Sequence, residues 1–105
     1  MSVKTAAGRF APVPPTGVTI VSQIDLFFAS ADYLGVGIYL VHLNPVRRLS
    51  SRDQIIPVGN ALVPSHIVAV KTDFSGTGSI GVAITDGAGI PVDDTFFLDV
   101  KLINV

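Results

Sequence analysis

The sequence predicts an all-β protein, and three observations carry that prediction. The chain has 105 residues, of which 49% are hydrophobic and only 14% charged, with ten glycines and seven prolines. All eight acidic residues are Asp and none is Glu; Glu is a good helix former, whereas Asp favours caps and turns. Short apolar segments with strand periodicity recur between turn residues, and no helical period extends over a convincing length.

Chain length and the spacing of these segments indicate the architecture. A chain of 105 residues corresponds to one domain. About seven or eight segments have strand character, with turn residues between them. This pattern predicts a two-sheet antiparallel sandwich of the jelly-roll or immunoglobulin-like type, with a small barrel as the alternative. We place the sandwich at residues 18–105 and an extended Pro/Gly-rich N-terminal arm at residues 1–17.

The predicted arm is defined by its prolines. Pro12, Pro14 and Pro15 fix φ, remove backbone donors and hold the preceding residues extended. Such a segment either frays as a leader or reaches a neighbouring subunit by strand addition. In the second case Phe10 and Val13 are its apolar anchors.

The first half of the sandwich is predicted to contain two strands separated by a turn. Residues 18–28 alternate between two faces, residues 29–34 form a turn, and residues 35–43 form a strand that is apolar on both faces. A doubly apolar strand is central or covered, so Tyr39 and His42 are candidate assembly residues. The predicted core face of the first strand comprises Val18, Ile20, Ser22, Ile24, Leu26 and Phe28, and its opposite face Gln23 and Asp25.

The second half is predicted to contain four strands. These strands cover residues 54–58, 67–72, 79–85 and 96–105, with turns at Gly59-Asn60 and at residues 86–89. In the last strand Leu98 and Val100 flank Asp99. We therefore expect both apolar side chains to be buried and Asp99 to face outward.

Charge and hydropathy limit the partners. Arg47, Arg48 and Arg52 form the one basic cluster, which either protects a loop or edge strand or contacts an anionic partner. A net charge of −1 and a pI near 6.0 argue against nucleic acid. The sequence contains no apolar run of about 18 residues, the length that a membrane-spanning helix needs. No apolar signal-peptide segment precedes Arg9. We therefore expect cytoplasmic synthesis, with incorporation into a particle or an extracellular assembly left open.

Motifs for catalysis are absent from the sequence. His42, His66, several serines and the aspartates supply residue types for a catalytic triad, but no nucleophile motif organises them. Without cysteine, disulfides, Cys-type zinc sites and Cys nucleophiles are excluded. The sequence therefore predicts neither an enzyme nor a cofactor.

One loop offers a candidate metal site. Asp86, Asp93 and Asp94 lie in a glycine-bent segment, and carboxylates are suitable ligands for calcium. The spacing does not match the helix–loop–helix calcium motif, which also ends in Glu. Ordinary turn chemistry of Asp beside Gly is the interpretation that we favour.

The surplus of apolar residues leads to a functional hypothesis. A two-layer sandwich needs one apolar face per strand, yet several strands here are apolar on both faces, and large exposed apolar patches indicate partners. We expect a non-enzymatic structural subunit that self-associates through sheet faces and the arm, as a virion or capsid-surface component, a filament or a closed oligomer. The alternative is a binding module for carbohydrate or a protein surface, with Tyr33 as the aromatic platform for a sugar.

Overall fold

The computed structural model describes residues 2–14, 16–24, 28–43, 53–73 and 79–104. These residues form two four-stranded antiparallel sheets that pack against each other, which confirms the predicted sandwich. No helix long and apolar enough to cross a membrane occurs among them. The strands are β1 (Ser2–Val13), β2 (Gly17–Gln23), β3 (Phe28–Gly35), β4 (Ile38–Leu43), β5 (Asp53–Ala61), β6 (Ile67–Asp73), β7 (Ser79–Thr85) and β8 (Phe96–Asn104).

The order of the strands defines two sheets with different neighbours. Sheet A has the order β2-β1-β8-β5, and sheet B has the order β3-β4-β7-β6. Consecutive strands pair in β1–β2, β3–β4 and β6–β7, while β1–β8, β4–β7 and β5–β8 join strands that are not consecutive in the chain. At the sides of the sandwich β2 stacks on β3 and β5 on β6. The edges of sheet B are therefore β3 and β6.

The core lies between the two sheets and is built from their inward-facing residues. Phe10 is stacked on Phe96 with ring centroids 5.0 Å apart, and it meets Phe28 edge-on at 5.1 Å. Because these rings come from β1, β8 and β3, they join the two sheets at one point. The buried core comprises Ala6, Phe10, Phe28, Ala31, Tyr39, Val41, Leu43, Ile80, Val82, Ile84, Phe96, Leu98 and Val100.

The predictions for the second half of the chain agree with the structure at three strands and one turn. Leu98 and Val100 are each 1% exposed and Asp99 faces solvent, as alternation predicts. The strands predicted at 67–72 and 79–85 correspond to β6 and β7. The turn after β7 is also present, closed by a bond from the Gly89 N–H to the Asp86 carbonyl.

The N-terminal segment is part of the sandwich, which corrects the prediction of an arm at residues 1–17. It forms β1 between β2 and β8, with continuous pairing to β8 that ends at Phe10 and Phe96. Phe10 is 0% exposed, so it is a core residue and not an anchor for a neighbouring subunit. Pro12 lies beyond the end of the β1–β8 ladder, so its missing N–H interrupts no bond to β8.

The strand predicted at 18–28 is two strands, because β2 ends at Gln23 and β3 begins at Phe28. The β1–β2 register shifts so that Val21 is an extra residue, and such a bulge reverses the alternation of side chains. Gln23, predicted to face outward, is half-buried, and its amide bonds both the N–H and the carbonyl of Phe28. Ile24, predicted in the core, is exposed.

The turn predicted at 29–34 and the strand predicted at 35–43 are both wrong, because the turn lies at Val36 and Gly37. Residues 29–34 belong to β3, and β4 begins only at Ile38. Gly37 has φ of +70°, and a Cβ placed there would lie 2.4 Å from the carbonyl oxygen of Ile84. The hairpin between β3 and β4 therefore requires glycine at this position.

The turn predicted at Gly59-Asn60 is instead part of β5, which continues to Ala61. A Cβ on Gly59 would lie 2.7 Å from a methyl carbon of Val68. Gly59 thus permits the close approach of β5 and β6, a role that depends on the packing of two sheets rather than on a local turn.

Candidate interaction face

Asp93, in the segment before β8, is the centre of a hydrogen-bonded cluster with the β3–β4 hairpin. Its Oδ1 accepts hydrogen bonds from the Tyr39 hydroxyl at 2.7 Å and the Gly37 N–H at 2.9 Å, and its Oδ2 accepts one from the Tyr33 hydroxyl at 2.8 Å. Burial alone would raise the pKa of Asp93, but the bonds from Gly37, Tyr39 and Tyr33 outweigh it and lower the pKa. Burial, followed by the bond to this carboxylate, raises the pKa of both tyrosines.

This cluster changes the interpretation of two predicted residues. Tyr39, a candidate assembly residue, is buried with its hydroxyl on Asp93, so it presents no surface to a partner. Tyr33, the candidate sugar platform, is bonded to the same carboxylate and meets the ring of Tyr39 edge-on. Sequence reasoning missed the cluster because the tyrosines lie 54 and 60 residues from Asp93.

The other two aspartates of the candidate calcium loop have separate structural partners. Asp94 accepts a bond from the Val63 N–H at 3.0 Å, and the same oxygen lies 2.9 Å from Nδ1 of His66. Asp86 accepts bonds from two N–H groups of its own turn, at Ala88 and Ile90. The three carboxylates are thus held apart, and no group of three metal-ligating side chains occurs in the described part of the chain. Asp86 shows the turn chemistry that the sequence favours, whereas Asp93 and Asp94 bond residues that are distant in the chain.

The remaining feature is the solvent side of sheet B. Strand pairing aligns Asp32, Leu40, Gly81 and Lys71 in one row across the four strands, on the face opposite the core. A neighbouring row contains Ile38, Ala83 and Ala69. We call this surface the outer B face, and its described members are Ser30, Asp32, Ile38, Leu40, His42, Ile67, Ala69, Lys71, Ser79, Gly81, Ala83 and Thr85.

On the outer B face, one central strand carries large side chains and the other carries small ones. On β4, Ile38 and Leu40 are large; directly beside them on β7, Ala83 and Gly81 are small. Ile38 is 47% exposed although it lies on a central strand. The middle of this face is therefore apolar, with a ridge along β4 and a shallow groove along β7.

The described titratable residues of the outer B face are Asp32 and Lys71 on its edge strands and His42 on the central strand β4. Asp32 on the edge strand β3 is paired with His42, whose Nε2 lies 2.6 Å from the carboxylate. Lys71 lies on the opposite edge strand, β6, and is exposed. The carboxylate of Asp32 thus lies at one edge of the face and the ammonium group of Lys71 at the other.

No family model, curated protein or solved structure matches the chain.

The outer side of sheet A carries charged residues on its central strands and the exposed apolar residues Ile56 and Val58 on its edge strand β5. Arg9 lies over the ring of Phe97, with its guanidinium carbon 5.5 Å from the ring centre. Asp99 and Lys101 are exposed on the central strand β8. Charged residues therefore occupy the central strands of sheet A, whereas Asp32 and Lys71 lie on the edge strands of sheet B.

The other predicted contact residues lie elsewhere. Of the four candidate assembly residues, His42 is on the outer B face, while Val13 is exposed at the end of β1 in sheet A. The cluster of Arg47, Arg48 and Arg52 lies outside the described residues.

Proposed function

We propose that the protein is a non-enzymatic structural subunit that self-associates, as a closed oligomer, a filament or a component of a virion or capsid surface. The observation that carries this proposal is the outer B face, which has an apolar patch on its central strands between Asp32 and Lys71 on its edge strands. A sandwich needs only the inner face of each sheet for its core. An apolar second face costs free energy in water unless a partner covers it.

The exposed isoleucines support association as the reason for this face. Ile38 and Ile67 are 47% and 58% exposed, and both lie on strands whose inner faces already supply the core or pack against it. Covering apolar surface contributes roughly 25 cal/mol per Å². Several large apolar side chains grouped on one sheet face therefore favour a protein contact over contact with a small ligand.

A binding module for carbohydrate or another protein is the alternative, and it has less support. Sugar-binding sandwiches use exposed aromatic rings, but Tyr33 is hydrogen-bonded to Asp93 and packed against Tyr39. A module that binds a different protein would use the same apolar face without forming oligomers.

Size-exclusion chromatography with light scattering, from low to high micromolar concentration, tests the proposal. We expect a molar mass that rises with concentration to at least twice the monomer mass of 11.0 kDa. A constant mass of 11.0 kDa over the whole range overturns self-association. A pull-down with the monomer as bait would then test the binding-module alternative.

A further inference from the structure

We propose that the outer B face binds the same face of a second copy, around a two-fold axis that runs close to the strand direction between β4 and β7. This inference rests on the proposed function and specifies its surface and symmetry. Such an axis exchanges β4 with β7 and β3 with β6 between the two copies. It leaves each residue at its own level along the strands.

Side-chain size favours this axis. With the strands exchanged, Leu40 of one copy lies over Gly81 of the second copy, and Ile38 lies over Ala83 of the second copy. Packed sheets are about 10 Å apart, and their side chains interdigitate. Each large residue on β4 then fills the space beside a small residue on β7, and the match occurs twice by symmetry.

Charge favours the same axis. Asp32 and Lys71 occupy the two ends of one row across sheet B, separated by Leu40 and Gly81. Rotation about the proposed axis brings Asp32 over Lys71 of the second copy, and Lys71 over Asp32 of the second copy. Each Asp32, which is paired with His42 of its own copy, then lies beside Lys71 of the second copy at one side of the apolar centre. Exposed pairs contribute little affinity each, but they discriminate between arrangements.

The other two-fold axis in the plane of the face, perpendicular to the strands, gives a poor fit. It places Leu40 over Leu40, Gly81 over Gly81 and Asp32 over Asp32 of the second copy. Large residues would then oppose large ones, small residues would leave a gap, and like charges would meet at both sides. Packed interfaces exclude such gaps, and opposed like charges are unfavourable.

An orientation near the strand direction also agrees with the usual packing of sheets. Aligned sheets cross at about 30° because each is twisted, and an axis inclined by about half that angle to the strands produces this crossing. The contact uses the same patch on both copies, so it closes at a dimer. A filament or particle would need a second surface in addition.

Charge reversal with light scattering tests the arrangement. Lys71→Asp places two carboxylates opposite each other at both sides of the interface, so we expect dimer affinity to fall roughly tenfold or more. The double variant Asp32→Lys/Lys71→Asp restores opposite charges, and we expect affinity near that of the wild type. Leu40→Lys places a charge in the apolar centre and is expected to give monomers.

Matched controls lie on the outer side of sheet A. Lys101→Asp makes the same change of net charge as Lys71→Asp, and Asp99→Lys the same change as Asp32→Lys, on exposed positions of β8. We expect neither to change dimer affinity tenfold. Circular dichroism and thermal melting check that each variant is folded. If Leu40→Lys fails to fold, Lys71→Asp still tests whether this face forms the dimer.

The outcomes separate this inference from the proposed function. If the wild type assembles but Leu40→Lys and Lys71→Asp assemble equally well, the face is wrong and self-association stands. If both single variants dissociate and the double variant is not restored, the two-fold axis is wrong. A monomeric wild type overturns the proposed function, and this inference with it.

Discussion

Asp93 shows how one side chain can fasten several elements. Its two oxygens receive the hydroxyls of Tyr33 on β3 and Tyr39 on β4, and the N–H of Gly37 in the turn between these strands. Because Asp93 lies in the segment that crosses from sheet B to sheet A, these bonds hold the β3–β4 hairpin to that crossing. In the described structure, Asp93 thus connects the β3–β4 hairpin to the segment between β7 and β8 by hydrogen bonds.

Replacement of this carboxylate should change both stability and its dependence on pH. Asp93→Asn weakens bonds to an ionised group, so we expect a loss of about 1–3 kcal/mol in the free energy of unfolding at pH 7. The folded pKa of Asp93 is lowered, so its contribution is complete above the unfolded pKa of about 3.9 and is lost as pH falls through the folded pKa.

Denaturant unfolding of wild type and Asp93→Asn between pH 7 and pH 3 checks this prediction. The difference between the two proteins should be largest near neutral pH and should narrow below about pH 4. Asp99→Asn, on an exposed position, is the control. A difference that is independent of pH would mean that the ionised carboxylate makes no special contribution.

The last strand supplies a second residue-scale prediction. Leu98 is 1% exposed in the core, and its neighbour Asp99 faces solvent. Leu98→Ala should cost about 2–5 kcal/mol, depending on how far the cavity collapses. Asp99→Ala should stay within about 0.5 kcal/mol of the wild type. Equal melting temperatures for the two variants would contradict the register of β8.

At the scale of elements, glycine fixes the β3–β4 hairpin. Gly37 combines a φ of +70° with backbone atoms of Ile84 and Val92 closer than 3.0 Å to any added Cβ. The N–H of Ile84 also donates to the Gly37 carbonyl. The hairpin turn is therefore packed against the end of β7, and both its conformation and its neighbours exclude a side chain.

Alanine scanning of two glycines tests this requirement. Gly37→Ala should destabilise the protein by more than about 1 kcal/mol, because a strained φ alone costs roughly that amount. Gly87→Ala is the matched control, since nothing lies within 4 Å of its Cβ position. The measurement is the melting temperature of each variant. Similar melting temperatures for Gly37→Ala and Gly87→Ala would contradict the close approach at Gly37.

At the scale of the whole molecule, β1 makes the N-terminus part of the cooperative unit. The strand lies between β2 and β8 and contributes Ala6 and Phe10 to the core. Without it, β2 has no partner strand in sheet A, and the ring stack through Phe96 is broken. The fold therefore depends on pairing between the two ends of the chain.

Deletion of residues 1–17 should therefore unfold the protein. Phe10→Ala should cost about 3–5 kcal/mol, the usual effect of truncating a buried Phe. Far-UV circular dichroism and thermal melting at low concentration give the readout. A folded deletion variant would show that the strand is dispensable, as an arm would be.

Much of the fold could be predicted because strand periodicity is local. Alternation over six to nine residues identifies β6, β7 and β8 and the buried face of β8, since neighbouring side chains in a strand must point to opposite sides. The Asp-only acidic composition and the glycines excluded helices in the same way. The candidate assembly residues were predicted less well, and only His42 lies on the outer B face. Whether the side chain of a strand residue is exposed depends on which other elements pack over it, and local periodicity does not show that.

What the sequence by itself determined is the all-β class, several strands and one core face; the tertiary structure decided where each strand pairs. The prolines suggested a free arm, yet β1 pairs from Ser2 with Asn104 at the other end of the chain. The bulge at Val21, the hydrogen bonds of Asp93 and the alignment of Asp32 with Lys71 likewise depend on partners far away in sequence. Local patterns choose a backbone conformation, but register and neighbours follow from which surfaces the folded chain can bury together.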